Sequence, residues 1–224
     1  MSSPEALVRM LGHLAGRVRS GRALHNRGVL LSATLVVAAA PGRPLGLEVF
    51  DRPGRTEVVV RLSKGTGLPG RLPDVLGLAV RLPDTGGRHV DLLLSTCGAV
   101  AWLPWPRAGF TAGPYSSLAS YRHRSGLFRL LAVPDHGLSV PADPALLEPA
   151  LKRGPLVFRL YGVPGHEFAR PLATLEVRDV LAGPDVAFDP VVNSAPAMPP
   201  AGVLQRLRRA AYDGSRRARR ARLD

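Results

Sequence analysis

Two residues near the C-terminus carry the most pointed chemistry in the chain. Arg208 and Tyr212 lie four positions apart in the run Val203-Leu-Gln-Arg-Leu-Arg-Arg-Ala-Ala-Tyr212. On a helix this spacing puts guanidinium and phenol on one face, one turn apart. A permanent cation beside a phenol favours the phenolate. A free tyrosine titrates near a pKa of about 10, so a ferric ion and Arg208 together would be needed to hold the anion at neutral pH. Tyrosinate is one of the few protein ligands that hold haem iron. The same stretch has a plainer reading, because eight Arg fall between Arg206 and Arg222, as they do in solvated tails and nucleic-acid contacts.

A second cluster of chemistry-bearing residues opens the chain. Arg22-Ala-Leu-His25-Asn-Arg-Gly28 runs directly into the β-branched stretch Val29 to Ala39, which reads as a long strand. Gly28 lets the backbone turn close beside a flat group. Thr56-Glu-Val-Val-Val-Arg61-Leu-Ser63-Lys-Gly-Thr-Gly67 reads as a strand ending in a loop. The Gly65-x-Gly67 pair has neither the Walker spacing nor a dinucleotide fingerprint. Leu72-Pro-Asp74-Val-Leu-Gly77-Leu-Ala-Val-Arg81 and Gly86-Gly-Arg-His-Val90-Asp91-Leu-Leu-Leu-Ser95-Thr96-Cys97 follow as two more strand segments. Ala187-Phe-Asp-Pro190 and a proline turn, Pro196-Ala-Met-Pro-Pro200, lead into the Arg208–Tyr212 helix.

The elements that must position these groups are read from composition and pattern. The chain has 224 residues and is 46% hydrophobic, enough for one substantial core. Its 24 Gly and 22 Pro imply many turns between short elements. Further strands are expected at Leu127–Val133, Leu156–Gly162 and Pro171–Val180, with a short helix at Pro144–Lys152. Residues 98–126 read as a long loop or short helices. About seven strand segments at near-regular spacing fit a closed antiparallel barrel of roughly eight strands. Residues 1–21 carry an amphipathic helix pattern and no signal-peptide pattern. The longest apolar stretch, Gly28 to Ala40, is too short to span a bilayer as a helix.

The net charge of +13 suits an anionic partner, whether nucleic acid, a membrane surface or a ligand bearing carboxylates. The single Cys97 excludes an intramolecular disulfide and fits a reducing compartment. A lone Cys after a buried strand reads as a small core residue. His13, His89, His123, His136 and His166 lack metal-ligand spacing, and surface or packing roles are expected for them. A cytoplasmic protein is the expectation.

Taken in order, these motifs resemble the haem-binding core of monofunctional catalases, over nearly the whole chain from Arg22 to Arg219. The matched patterns are R-x-x-H-x-x-G before a strand, V-R-L-S where catalases have V-R-F-S, the Leu72–Arg81 segment, the Asp91 segment, F-D-P, and R-x-x-x-Y. Two departures stand out. Pro73 replaces the first Arg of the third pattern, and Ser95, followed by Thr96, stands where catalases carry the Asn that orients peroxide. From the length, the catalase family's larger helical domain and nucleotide-binding appendages are expected to be absent.

The resemblance implies an α+β fold, an antiparallel catalase-type β-barrel of about eight strands with an N-terminal helix and a C-terminal haem-ligating helix, as a single domain over 1–224. It implies haem b (iron protoporphyrin IX), with Tyr212 as the iron ligand and Arg208 keeping it ionised. Arg22, Arg61 and Arg219 would meet the propionates, since Arg stays charged when buried and its fork matches a carboxylate. His25 would serve as distal acid–base group, held by Ser63, with Ser95 and Thr96 beside the peroxide. The expected function is that of a haem-dependent, peroxide-utilising oxidoreductase, a peroxidase or substrate-specific haem enzyme ahead of an efficient catalase. A hydroxyl orients peroxide less firmly than a carboxamide. The implied partners are peroxide and an organic co-substrate, with self-association into a homo-oligomer and no membrane. Two alternatives remain open: a non-catalytic haem sensor or carrier, and, ranked lower, a basic nucleic-acid-binding protein using the Arg216–Arg222 run.

Overall fold

Strand-forming residues dominate the computed structural model, which describes residues 27–39, 44–84, 87–101, 103–117, 120–124, 126–164, 169–184, 186–190 and 192–201. Ten strands occur among them: β1 (Arg27–Val37), β2 (Gly54–Lys64), β3 (Leu76–Pro83), β4 (His89–Thr96), β5 (Tyr115–Ser116), β6 (Ser120–His123), β7 (Gly126–Pro134), β8 (Leu156–Pro164), β9 (Arg170–Val180) and β10 (Pro200–Ala201). Two short helices join them, α1 (Glu48–Asp51) and α2 (Leu147–Leu151), the latter entered through a 3-10 turn at Pro144–Leu146. Asp143 caps that turn by accepting from the Ala145 backbone N–H at 3.2 Å. The helix expected at Pro144–Lys152 is thus present, tightened at its start where Pro144 supplies no donor.

Eight strands close into a ring. The order β7-β5-β4-β3-β2-β1-β9-β8 returns to β7 through the β7–β8 pairing, and every strand pair is antiparallel. The expected closed antiparallel barrel of about eight strands is what forms. Alternation sets its two faces. Leu31, Ala33 and Leu35 on β1, Val58, Val60 and Leu62 on β2, Leu76, Leu78, Val80 and Leu82 on β3, and Val90, Leu92 and Leu94 on β4 fill the interior, all buried. Leu160, Phe158, Leu175 and Val177 complete it from β8 and β9. Tyr115 joins them edge-on to Phe158 at 5.8 Å and donates its hydroxyl to the Phe110 carbonyl at 2.7 Å. Its phenol is pushed upward in pKa by burial.

One expectation is corrected. The stretch 98–126, expected as a loop or short helices, contributes β5 and β6, which pair in turn with β7. Gly, Pro and Ser surround these strands and mask their brief alternation. The N-terminal helix pattern over 1–21 and the C-terminal helix carrying Tyr212 lie outside the described residues. Among the described residues no helix is long and apolar enough to cross a membrane.

Candidate cofactor site on the outer face of the barrel

Register places the polar candidates on one side of the wall. Gly28 on β1 faces Ser63 on β2, Ser63 faces Gly77 on β3, Gly77 faces Ser95 on β4, and Ser95 faces Ser116 on β5. All five belong to the outward set, since their chain neighbours Val29, Leu62, Leu76, Leu78, Leu94, Thr96 and Tyr115 belong to the inward one. The result is a transverse row across five strands with no side chain longer than a hydroxymethyl. At about 4.8 Å per strand it runs roughly 19 Å along the barrel wall. Ser63, Gly77, Ser95 and Ser116 are buried although they face outward. The next outward row consists of Leu30, Arg61, Ala79 and Leu93.

Arg61 is the charged member of this surface, only 8% exposed. Its guanidinium lies across Gly28: a Cβ built there would stand 2.7 Å from Arg61 Cζ and 2.8 Å from Ser63 Cβ. Glycine at 28 is therefore a space requirement. A Gly28→Ala chain is expected to lose about 1–3 kcal/mol, the usual cost of overpacking, because Ser63 Cβ is fixed to the backbone and cannot swing away as the Arg61 side chain can. A thermal melt reads this as a lowered Tm, without any cofactor present.

Sequence reasoning grouped Ser95 with Thr96, and the barrel separates them. Thr96 faces inward and is fully buried. Its hydroxyl accepts from the Leu76 N–H at 3.0 Å and donates to the Trp105 carbonyl at 2.7 Å. It ties the end of β4 to β3 and to the following loop, so the row contains Ser63 and Ser95 but not Thr96. Ser116 was missed, because its pairing with Ser95 spans a segment with no strand pattern. His25, Arg22, Arg208, Tyr212 and Arg219 lie outside the described residues.

Cys97 follows β4 as a buried thiol that donates to the Pro114 carbonyl at 3.5 Å. Burial raises its pKa and the nearby Arg107 only partly offsets this, so the group stays a thiol. His123 packs edge-on to Phe128. No three His, Cys, Asp or Glu side chains among the described residues are grouped to hold a metal ion.

The F-D-P segment has a fixed seat on the same outer face. Arg81 and Asp91, opposite each other on β3 and β4, form a bidentate ion pair with both bonds at 2.8 Å. Asp91 is 1% exposed. Its Oδ2 also accepts from the Asp189 N–H at 2.8 Å and from Asn193 Nδ2 at 2.7 Å, and its own N–H donates to the Asn193 carbonyl at 2.9 Å. Arg81 donates to the Ala187 carbonyl at 2.8 Å and covers the Phe188 ring at 4.9 Å. From this seat the chain crosses the barrel, burying Ala195 and Met198. It is tied again where β10 pairs with β6 and Arg122 N–H donates to Pro199.

The residues present fit a flat, anionic cofactor. The row is a sunken strip of glycines and hydroxyls, and Arg61, lying where any Cβ at 28 would sit, brings a positive charge to its edge, a chemistry that suits such a group. Comparison with known proteins bears on the fold. No family model matches the chain, and no curated protein matches it. Among solved structures, a fungal catalase superposes with a TM-score of 0.62 at 14% identity, covering 93% of this chain and 62% of the catalase chain. A bacterial catalase gives a TM-score of 0.59 at 12% identity, covering 88% and 57%. The barrel is therefore of the catalase type. This chain spans about 60% of the length of the catalases it matches.

Proposed function

We propose that this chain binds iron protoporphyrin IX against the outer-face row Gly28, Ser63, Gly77, Ser95 and Ser116, and uses it to reduce peroxide at the expense of an organic donor. The observation that carries the reading is that row with Arg61 lying across Gly28, on a barrel of the catalase type. Bound haem would supply an iron able to accept electron density from tyrosinate and to take part in O–O cleavage.

The chain's own residues have distinct tasks in this reading. Tyr212 holds the iron as phenolate, and Arg208 keeps the phenol ionised. Arg22, Arg61 and Arg219 bind the propionates through carboxylate-matching forks. His25 would be the group that takes a proton from peroxide and delivers it to the departing oxygen. His25 stands three positions before Gly28 in the sequence, and Gly28 is the strand position opposite Ser63. Ser63 steadies its ring by a hydrogen bond. Ser95 offers a hydroxyl to the peroxide, and Thr96 fixes the end of the strand that bears it. A hydroxyl is shorter than a carboxamide and rotates freely, which favours peroxidase turnover with a donor over rapid disproportionation of hydrogen peroxide.

The test is to titrate the purified protein with ferric protoporphyrin IX and follow the visible spectrum. The expected result is a one-to-one complex with a tyrosinate-type ferric spectrum that oxidises a dye when an organic hydroperoxide or hydrogen peroxide is added. A protein that takes up no haem under these conditions overturns the reading.

A further inference from the structure

We infer that one end of the barrel is a docking surface for an anionic lipid membrane, touched through the loops 65–73 and 97–114. Both loops leave the same end, since β2 closes at Lys64 opposite the first residue of β3, and β4 closes at Thr96 opposite the first residue of β5. They are joined at their bases, where Asp74 and Arg107 exchange backbone hydrogen bonds at 3.1 and 2.8 Å. Exposed large hydrophobic side chains collect here. Of the seven among the described residues, Leu68, Leu72, Val100, Val180 and Leu181 lie at this end, and Leu127 and Val192 do not. The first loop is also held rigid from within. Buried Lys64 donates to the Gly70 and Leu72 carbonyls, and buried Asp74 accepts from Thr66 and from the Leu68 N–H. Two buried charges thus keep an apolar tip in water, a costly arrangement that marks an interaction site.

Composition selects the partner. Residues 65–73 and 97–114 contain Arg71 and Arg107 and no acid, in a chain that has 17 Asp and Glu. Both tryptophans of the chain, Trp102 and Trp105, stand in the second loop. Aliphatic side chains with Trp and Arg are the composition found at the headgroup level of a bilayer, where each cation gains from anionic lipid. The acids elsewhere at this end are largely engaged. Asp135 and Glu148 pair with Arg159 and Lys152, Asp143 caps its turn, and Asp179 lies two strands from β2 on β9. A second copy of the chain fits less well. Leu68, Leu72 and Val100 are 42, 52 and 43% exposed, so their free apolar surface falls well short of the roughly 800 Å² per partner of a stable interface. Shallow insertion into lipid needs no matching surface, and the net charge of +13 opposes self-association while favouring an anionic one.

The test adds vesicles to the purified full chain, made of phosphatidylcholine alone or of phosphatidylcholine and phosphatidylglycerol in equal parts. Flotation measures how much protein the vesicles carry. Because Trp102 and Trp105 are the only tryptophans, their emission reports on the 97–114 loop alone. The expected result is flotation with the mixed vesicles and a blue-shifted emission that lipids brominated on their tails quench. The double variant Leu68→Ser/Leu72→Ser should bind roughly 10- to 100-fold more weakly, and Arg71→Glu about 10-fold more weakly. Leu127→Ser, at the opposite end, should bind as wild type does. All four side chains are exposed, so these variants should keep the wild-type Tm. A wild type that does not float with the mixed vesicles overturns the inference. So does flotation that salt abolishes, with tryptophan emission unshifted and the double leucine variant unaffected, since the chain then adsorbs by charge alone. A lipid-free dimer that the double leucine variant dissociates overturns it as well, and makes this end an interface between copies.

Discussion

On the proposed haem reading, a Tyr212→Phe chain should lose the ferric tyrosinate spectrum and most of its peroxide turnover. Removing residues that only orient a metal ligand already costs 10- to 100-fold in affinity or activity, so removing the ligand should reduce haem affinity by more than about 100-fold. The side chain that replaces it is isosteric except for the hydroxyl, so the barrel should fold as before. Circular dichroism and Tm of the haem-free proteins should therefore coincide, while haem titrations diverge. If the variant binds haem as tightly as wild type with an unchanged spectrum, Tyr212 is not the ligand. Arg208→Leu is the companion variant. It should keep some haem but shift the pH at which the tyrosinate spectrum appears upward, because the cation proposed to favour the phenolate is gone.

The second large effect is expected at the loop between β2 and β3. Lys64 is fully buried and donates to the Gly70 and Leu72 carbonyls at 2.9 Å. Asp74, 1% exposed, accepts from the Thr66 N–H at 3.0 Å, the Thr66 hydroxyl at 2.7 Å and the Leu68 N–H at 3.1 Å. It also provides the larger compensating charge for Lys64, whose pKa is lowered by burial while Asp74 and then Asp143 pull it up. Asp74→Ala strips three donors of their acceptor and leaves Lys64 buried with weaker compensation. The expected loss is about 3–5 kcal/mol, or a fall in Tm of roughly 6–20 °C for a chain of this size.

The pH dependence of that variant has a definite sign. A lysine whose folded pKa lies below its ordinary value binds its proton less tightly folded than unfolded. Between the lowered pKa and the unfolded value of about 10.4, the unfolded chain carries more protons and stability rises with pH. Without Asp74 the folded pKa falls further, so this rise should begin at lower pH than in wild type. Denaturant melts across a pH series up to the alkaline limit would show it. An Asp74→Ala stability curve parallel to wild type would exclude the coupling between the two side chains.

Much of this architecture could be read from residue order. The long strands announce themselves through Val, Leu and Thr runs bounded by Gly and Pro, as in β1 and β2, where local preference and burial agree. The short pieces β5, β6 and β10 could not be read, because two to four residues carry no periodicity and their pairing is decided by distant strands. Arg61, Ser63 and Ser95 were legible as motif positions. The separation of Ser95 from Thr96 follows from strand alternation alone, since neighbours on a strand point to opposite faces. The seat of the F-D-P segment was hidden for a different reason. Asp91 reads as one acid in an apolar strand, and its partners Asp189 and Asn193 are about a hundred residues away.

The closure of the ring sets an order of events as the chain is made. β1 through β4 can pair with their sequence neighbours as they emerge, but β1 meets β9 only when Leu31 finds Val180. Until then β1 offers an unpaired edge of apolar, β-branched sequence, the kind of edge that recruits other chains. Such long-range pairing is slow because the intervening loop must close first. A nascent chain arrested before β9 therefore presents an open sheet with seven of the eight ring strands made and its β1 edge bare, and the cell's chaperones would meet this protein at that stage, before the ring has closed.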